Sequence, residues 1–170
     1  MPQLTDYKVL TFDCYGTLID WESGMLTALR PLTDQLQTEL TNDAILEAHA
    51  RYESTQQLQT PSMYYYDILS LVYKRLAEEW GIPVSWEECE AYGRSVQNWP
   101  AFPDSPDALK YLKEHYKLVI LSNVDQHSFA ASNARLEVHF DAIYTAQDIG
   151  SYKPADANFV YMLGNLKSLG

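Results

Sequence analysis

Residues 7–12 form a short apolar run that reads as a buried strand, ended by Asp13 and followed at once by a turn at Gly16. From residue 21 to residue 99 the pattern is helical, with hardly any strand signal. Thr41, Asn42 and Asp43 make an N-cap region ahead of one helix, and Pro61-Ser62 opens a second that Gly81 and Pro83 stop. Ser85 and Glu88 form a capping box for a third. After Pro103 the pattern changes. A helix from Asp104 and Ser105 precedes a strand at 117–121, a helix through Phe129 and Leu136 precedes a strand at 142–146, and a helix covers 155–166. This alternation predicts an α/β fold with a parallel sheet covered by helices. A helical insertion of about 80 residues after the first strand is too long for an ordinary crossover. It reads as a lid over residues 21–99, hinged near 19–21 and 99–103, on a core made of residues 1–20 and 100–170.

Three polar features fall at strand ends. Asp13 follows the first strand, Ser122-Asn123 follows Leu121 directly, and Lys153-Pro154 lies in the loop after the third strand. All carboxyl ends of a parallel sheet face one way, so a carboxylate, a hydroxyl, an amide and an ammonium converge on one crevice. Each alone reads as ordinary turn or surface chemistry, and it is their shared placement that points to a site.

Composition narrows the partners. The chain of 170 residues is 46% hydrophobic and carries a net charge of −11, which argues against nucleic acid or an anionic membrane as a partner. A small anionic substrate then depends on local positive charge, which gives Lys153 added interest. The two cysteines, Cys14 and Cys89, make neither a disulfide framework nor a metal site. No apolar leader follows Met1, and no stretch approaches the ~20 apolar residues of a membrane span, so a cytoplasmic protein is expected.

The set Asp13-x-Tyr15-Gly16-Thr17-Leu18, then Ser122-Asn123, then Ser151-Tyr152-Lys153-Pro154 resembles the haloacid dehalogenase superfamily, and most of all its L-2-haloacid dehalogenase branch. The resemblance implies a Rossmann-like core with an inserted helical cap. It also implies that Asp13 attacks C2 of a 2-haloalkanoate, displaces halide and forms an ester that water then hydrolyses to a 2-hydroxy acid. By the same resemblance, Thr17 and Ser122 hold the substrate carboxylate, Lys153 keeps Asp13 ionised, and Asn123 helps cradle the halide. Phosphatases of the superfamily carry a second Asp where this chain has Tyr15, and a phenol cannot serve as that acid at neutral pH. The dehalogenase branch uses no metal, so no cofactor is expected, with magnesium implied only by a phosphate-ester alternative. Family members are often dimers, and a homodimer is one assembly open to this chain.

Three departures qualify the resemblance. The family draws a halide-binding arginine from an early cap helix, for which Arg51 is the leading candidate and Arg30 the other. Phe159 stands where a tyrosine is common. The family continues with a further strand that supplies another acidic residue, whereas this sequence closes on a helix at Gly170. A C-terminally incomplete core, and with it a truncated, non-catalytic chain, is therefore a competing expectation. Beyond Asn123, Asp125 reads first as the N-cap of the next helix, an acid/base pair with His127 near the crevice being the other reading, and His49, His115 and His139 read as structural or surface residues.

Overall fold

The computed structural model describes residues 3–169; Met1, Pro2 and Gly170, which the expected core limits include, lie outside the described residues. Three strands, β1 (Val9–Phe12), β2 (Lys117–Ser122) and β3 (Ala142–Thr145), form a parallel sheet in the order β1-β2-β3. Phe12 pairs with Ile120, and Ser122 with Thr145, so the strands end together on one side. Central β2 is buried on both pleats: Leu118 and Ile120 join the main core, while Val119 and Leu121 are buried outside it. A near-continuous apolar run is what a strand covered on both faces requires. β1 lies at the edge, paired with β2 alone among the described residues.

Between β1 and β2 the chain builds a helical cap from α1 (Trp21–Thr33), α2 (Asn42–Gln59), α3 (Tyr65–Glu79) and α4 (Trp86–Gly93), closed by a 3-10 turn at Arg94–Asn98. The remaining helices are α5 (Ser105–Lys113), α6 (Gln126–Leu136), the short α7 (Ala146–Ile149) and α8 (Asp156–Leu166). Capping chemistry starts most of them where the side chains dictate. Thr41 accepts from the Ala44 amide at 3.2 Å, and Ser85 and Glu88 complete both bonds of their capping box.

α3 departs from the sequence pattern. It begins at Tyr65 rather than at Pro61-Ser62, because the amide of Met63 turns back to the carbonyl of Thr60 at 3.0 Å. Tyr64 gives this helix no side-chain cap. The carboxylate of Asp125, from the loop after β2, accepts from the Tyr66 amide instead, at 3.3 Å.

The two crossings between sheet and cap are tied together. The Asp20 amide donates to the Pro100 carbonyl at 2.8 Å, and the Phe102 amide donates to the Leu18 carbonyl at 3.0 Å. The buried Trp99 ring lies against Gly24, where an added Cβ would fall 2.5 Å from the indole. Only glycine lets α1 approach the returning chain this closely.

Candidate active site

Asp13 follows the last residue of β1, at the carboxyl edge of the sheet. The chain then coils tightly: the amides of Leu18 and Ile19 both point to the Cys14 carbonyl, at 2.7 and 3.0 Å. Gly16 has φ +90°, a conformation that side-chain-bearing residues rarely adopt, and this turns Thr17 back toward the strand end. The Thr17 hydroxyl then donates to Oδ2 of Asp13 at 3.3 Å.

Lys153 supplies the counter-charge. Its Nζ donates to Oδ1 of Asp13 at 2.6 Å and to the Leu121 carbonyl at 2.7 Å. Asn123 fixes the lysine by clipping its backbone: Nδ2 donates to the Lys153 carbonyl at 3.0 Å, and Oδ1 accepts from the Lys153 amide at 2.7 Å. Three strand ends thereby converge on one carboxylate across a sequence separation of 140 residues. The Lys153 side chain is 18% exposed and that of Asp13 44%, so the ammonium is sheltered while the carboxylate faces the crevice.

Asp13, Tyr15, Trp21, Glu53, Tyr65, Ser122 and Asn123 line a hollow of about 270 Å³ between sheet and cap. The Ser122 hydroxyl is buried there with no hydrogen-bond partner, a group left for a ligand or water to satisfy. Tyr15 contributes its ring, stacked edge-on to Trp99 at 5.7 Å, while its hydroxyl turns away and pairs with Ser132 at 3.0 Å. Burial holds the Tyr15 phenol far above its ordinary pKa, so it stays protonated at neutral pH. Burial, with Asp13 beside it, likewise raises the Cys14 thiol, so it stays protonated at neutral pH.

The structure does not bring Arg51 to this hollow. It extends from the exposed face of α2 and forms a two-pronged pair with Glu79 at 3.0 and 2.8 Å, 55% exposed. The reason is helical phase: positions two apart face different ways, so where Glu53 faces inward Arg51 faces solvent. Arg30 is exposed on α1 and lines a separate hollow with Asp34 and Glu39. Asp125 caps α6 as expected, accepting from the Ser128 amide at 2.8 Å, and Phe159 is 41% exposed on α8. Sequence reasoning missed Glu53, Tyr65 and Trp21 as lining residues. The four-residue spacing of His49 and Glu53 was the available signal, since it places both on one helix face.

Among the described residues no group of three or more His, Cys, Asp or Glu is placed to hold a metal ion. The lysine ammonium already sits against Oδ1 of Asp13, and Tyr15 offers a phenol in place of a second carboxylate.

Comparison with known proteins places this arrangement. YfnB of Bacillus subtilis (strain 168), a HAD-hydrolase by name, is 24% identical over 165 residues, covering 92% of this chain and 68% of its own length. The L-2-haloacid dehalogenase of Xanthobacter autotrophicus superimposes with a TM-score of 0.78 at 18% identity, over 94% of this chain and 65% of that one. The L-2-haloacid dehalogenase PA0810 gives a TM-score of 0.76 at 20% identity, over 94% and 70%. The model of the haloacid dehalogenase-like hydrolases matches residues 7–168, nearly the whole chain and every strand-end residue described above, and the chain belongs to that family.

Proposed function

We propose that the chain hydrolyses a 2-haloalkanoate through an ester on Asp13. One oxygen of the Asp13 carboxylate attacks C2, the carbon–halogen bond breaks, and halide leaves with its electron pair. Water then adds to the ester carbonyl, the 2-hydroxy acid departs, Asp13 is regenerated as a carboxylate, and one proton is released to solvent. Lys153, 2.6 Å from Oδ1, positions the nucleophile and stabilises the oxyanion formed during ester hydrolysis, and Thr17 orients the attacking carboxylate. Ser122 offers its unpaired hydroxyl to the substrate carboxylate. Asn123 acts through Lys153, by fixing its backbone.

The observation that carries this reading is Tyr15. With its hydroxyl buried against Ser132, Tyr15 puts no carboxylic acid two residues beyond the nucleophile, which favours a leaving group that departs as a stable anion, as halide does. A solved structure of the Xanthobacter autotrophicus enzyme with chloropropionic acid covalently bound supports the same chemistry by analogy of fold. The alternative, a phosphate-ester hydrolase, draws on a solved structure of YfnB bound to magnesium. Halide release from racemic 2-chloropropionate, with Asp13→Asn as the blank, separates them. Release above the blank and indifferent to chelator is expected. Phosphate release that needs magnesium, with no halide release, would overturn the dehalogenase reading.

A further inference from the structure

Glu53 is a carboxylate facing a nucleophile, with no function in the reaction above. It lines the same hollow as Asp13 and Ser122, yet comes from the cap. α2 holds it from both sides at helical spacing. One turn on, Gln57 donates to Oε1 at 2.8 Å; one turn back, the fully buried His49 brings Nδ1 to 3.4 Å from Oε2. Neither His49 ring nitrogen has a hydrogen-bond partner, so the imidazole packs behind Glu53 without saturating its oxygens. Among the described residues Glu53 has no Lys or Arg partner. The nearby cations are committed, Lys153 to Asp13 and Arg51 to Glu79.

A carboxylate that is 19% exposed and lacks a cation costs desolvation, which its hydrogen bonds from Gln57 and the Tyr65 phenol offset only in part. An ionised carboxylate has about four lone-pair positions, so acceptor capacity remains directed at the hollow. A second anionic group on the substrate would be repelled here, and a donor would be bound.

We propose that Glu53 is the residue by which the cap selects substrate, accepting a hydrogen bond from an ammonium or hydroxyl group carried opposite the bond that Asp13 attacks. Resting on the reaction proposed above, this narrows the substrate class to 2-haloalkanoates bearing such a donor, the ammonium form being a zwitterion. It also accounts for the absence of an arginine where one was expected, because the cap presents an acceptor.

The test uses unreactive probes, so that it stands apart from turnover. Propionate, 3-aminopropionate and succinate are titrated by ligand-observed NMR against the wild-type chain and Glu53→Gln. The wild type is expected to bind 3-aminopropionate on the order of tenfold tighter than propionate, with succinate the weakest. Glu53→Gln, which keeps the side-chain shape, is expected to bring the three together. Equal affinity of the wild type for propionate and 3-aminopropionate would overturn the assignment without any variant. So would a preference that survives Glu53→Gln in a chain with an unchanged urea midpoint. Halide release from 2-chloropropionate and 3-amino-2-chloropropionate is followed in parallel. If neither releases halide while the ammonium preference holds and depends on Glu53, the dehalogenase reading fails and the role of Glu53 stands.

Discussion

Asp125→Ala should uncouple the cap from the sheet. The carboxylate is 1% exposed and serves two helices at once. At α6 it accepts from the Ser128 amide at 2.8 Å and the Ser128 hydroxyl at 2.9 Å; at α3 it accepts from the Tyr66 amide at 3.3 Å. Loss of an N-cap costs about 1 kcal/mol. The Tyr66 amide is one of the first donors of α3, which the helix itself cannot satisfy. Its bond is at the long end of the range, so stranding it adds about 1 kcal/mol rather than the upper figure for a buried donor. Removing a buried charge would normally return some desolvation energy. Here two positive helix ends already stabilise that charge, so little is recovered. The sum is about 2 kcal/mol, and with a urea m-value of about 2 kcal/mol/M the midpoint falls by about 1 M. Asp125→Asn keeps one acceptor oxygen and should lose about half as much.

The assay is urea unfolding followed by circular dichroism and by fluorescence. All four tryptophans, Trp21, Trp80, Trp86 and Trp99, fall within residues 21–99, so fluorescence reports on the cap while dichroism reports on the whole chain. In Asp125→Ala the fluorescence transition should precede the dichroic one. A midpoint shift below about 0.3 M, or coincident transitions at the wild-type position, would refute the view that this one carboxylate ties cap to sheet.

Three further outcomes are expected. Lys153→Met should lower kcat/KM for halide release on the order of a hundredfold or more, because it removes the cation at Asp13; a loss under about threefold in steady-state assays would refute that role. Arg51→Ala should leave both halide release and the urea midpoint unchanged, since its pair with Glu79 is exposed; a large rise in KM for the haloacid would return Arg51 to the site. Stability should fall as pH rises above the ordinary thiol value of 9.0 and phenol value of 10.0, because burial raises Cys14, Tyr15, Tyr65 and Tyr92 in the folded chain. In that window the unfolded chain has released protons that the folded chain still holds, so the slope of stability with pH is negative. A urea midpoint that stays flat from pH 8 to 10.5 would contradict this.

Much of the molecule follows from local pattern. The run at 118–121, apolar at successive positions, specified a strand covered on both faces, and each side chain of β2 from Leu118 to Ser122 is indeed buried. Capping at Thr41, Ser85 and Asp125 lies within three residues of the amide that donates to it, which is why those helix starts were legible. The convergence of Asp13, Ser122, Asn123 and Lys153 was legible for a different reason: parallel strands end on one side whatever the detail of their packing.

Tertiary structure decided what depends on rotation and on distant partners. The start of α3 rests on a carboxylate 59 residues away, which no window along the chain contains. Asn123 lines the hollow as expected, and its amide also meets the Lys153 backbone 30 residues on, a pairing that only the loops after β2 and β3 in contact create. On α2 the choice between Arg51 and Glu53 turned on helical phase. Both lie on a weakly amphipathic helix whose buried face (Ile45, Ala48, His49 and Gln56) mixes apolar and polar residues, so hydrophobic periodicity alone could not orient it. Packing against α3 sets that rotation, and with it the sign of the charge that the cap presents to Asp13.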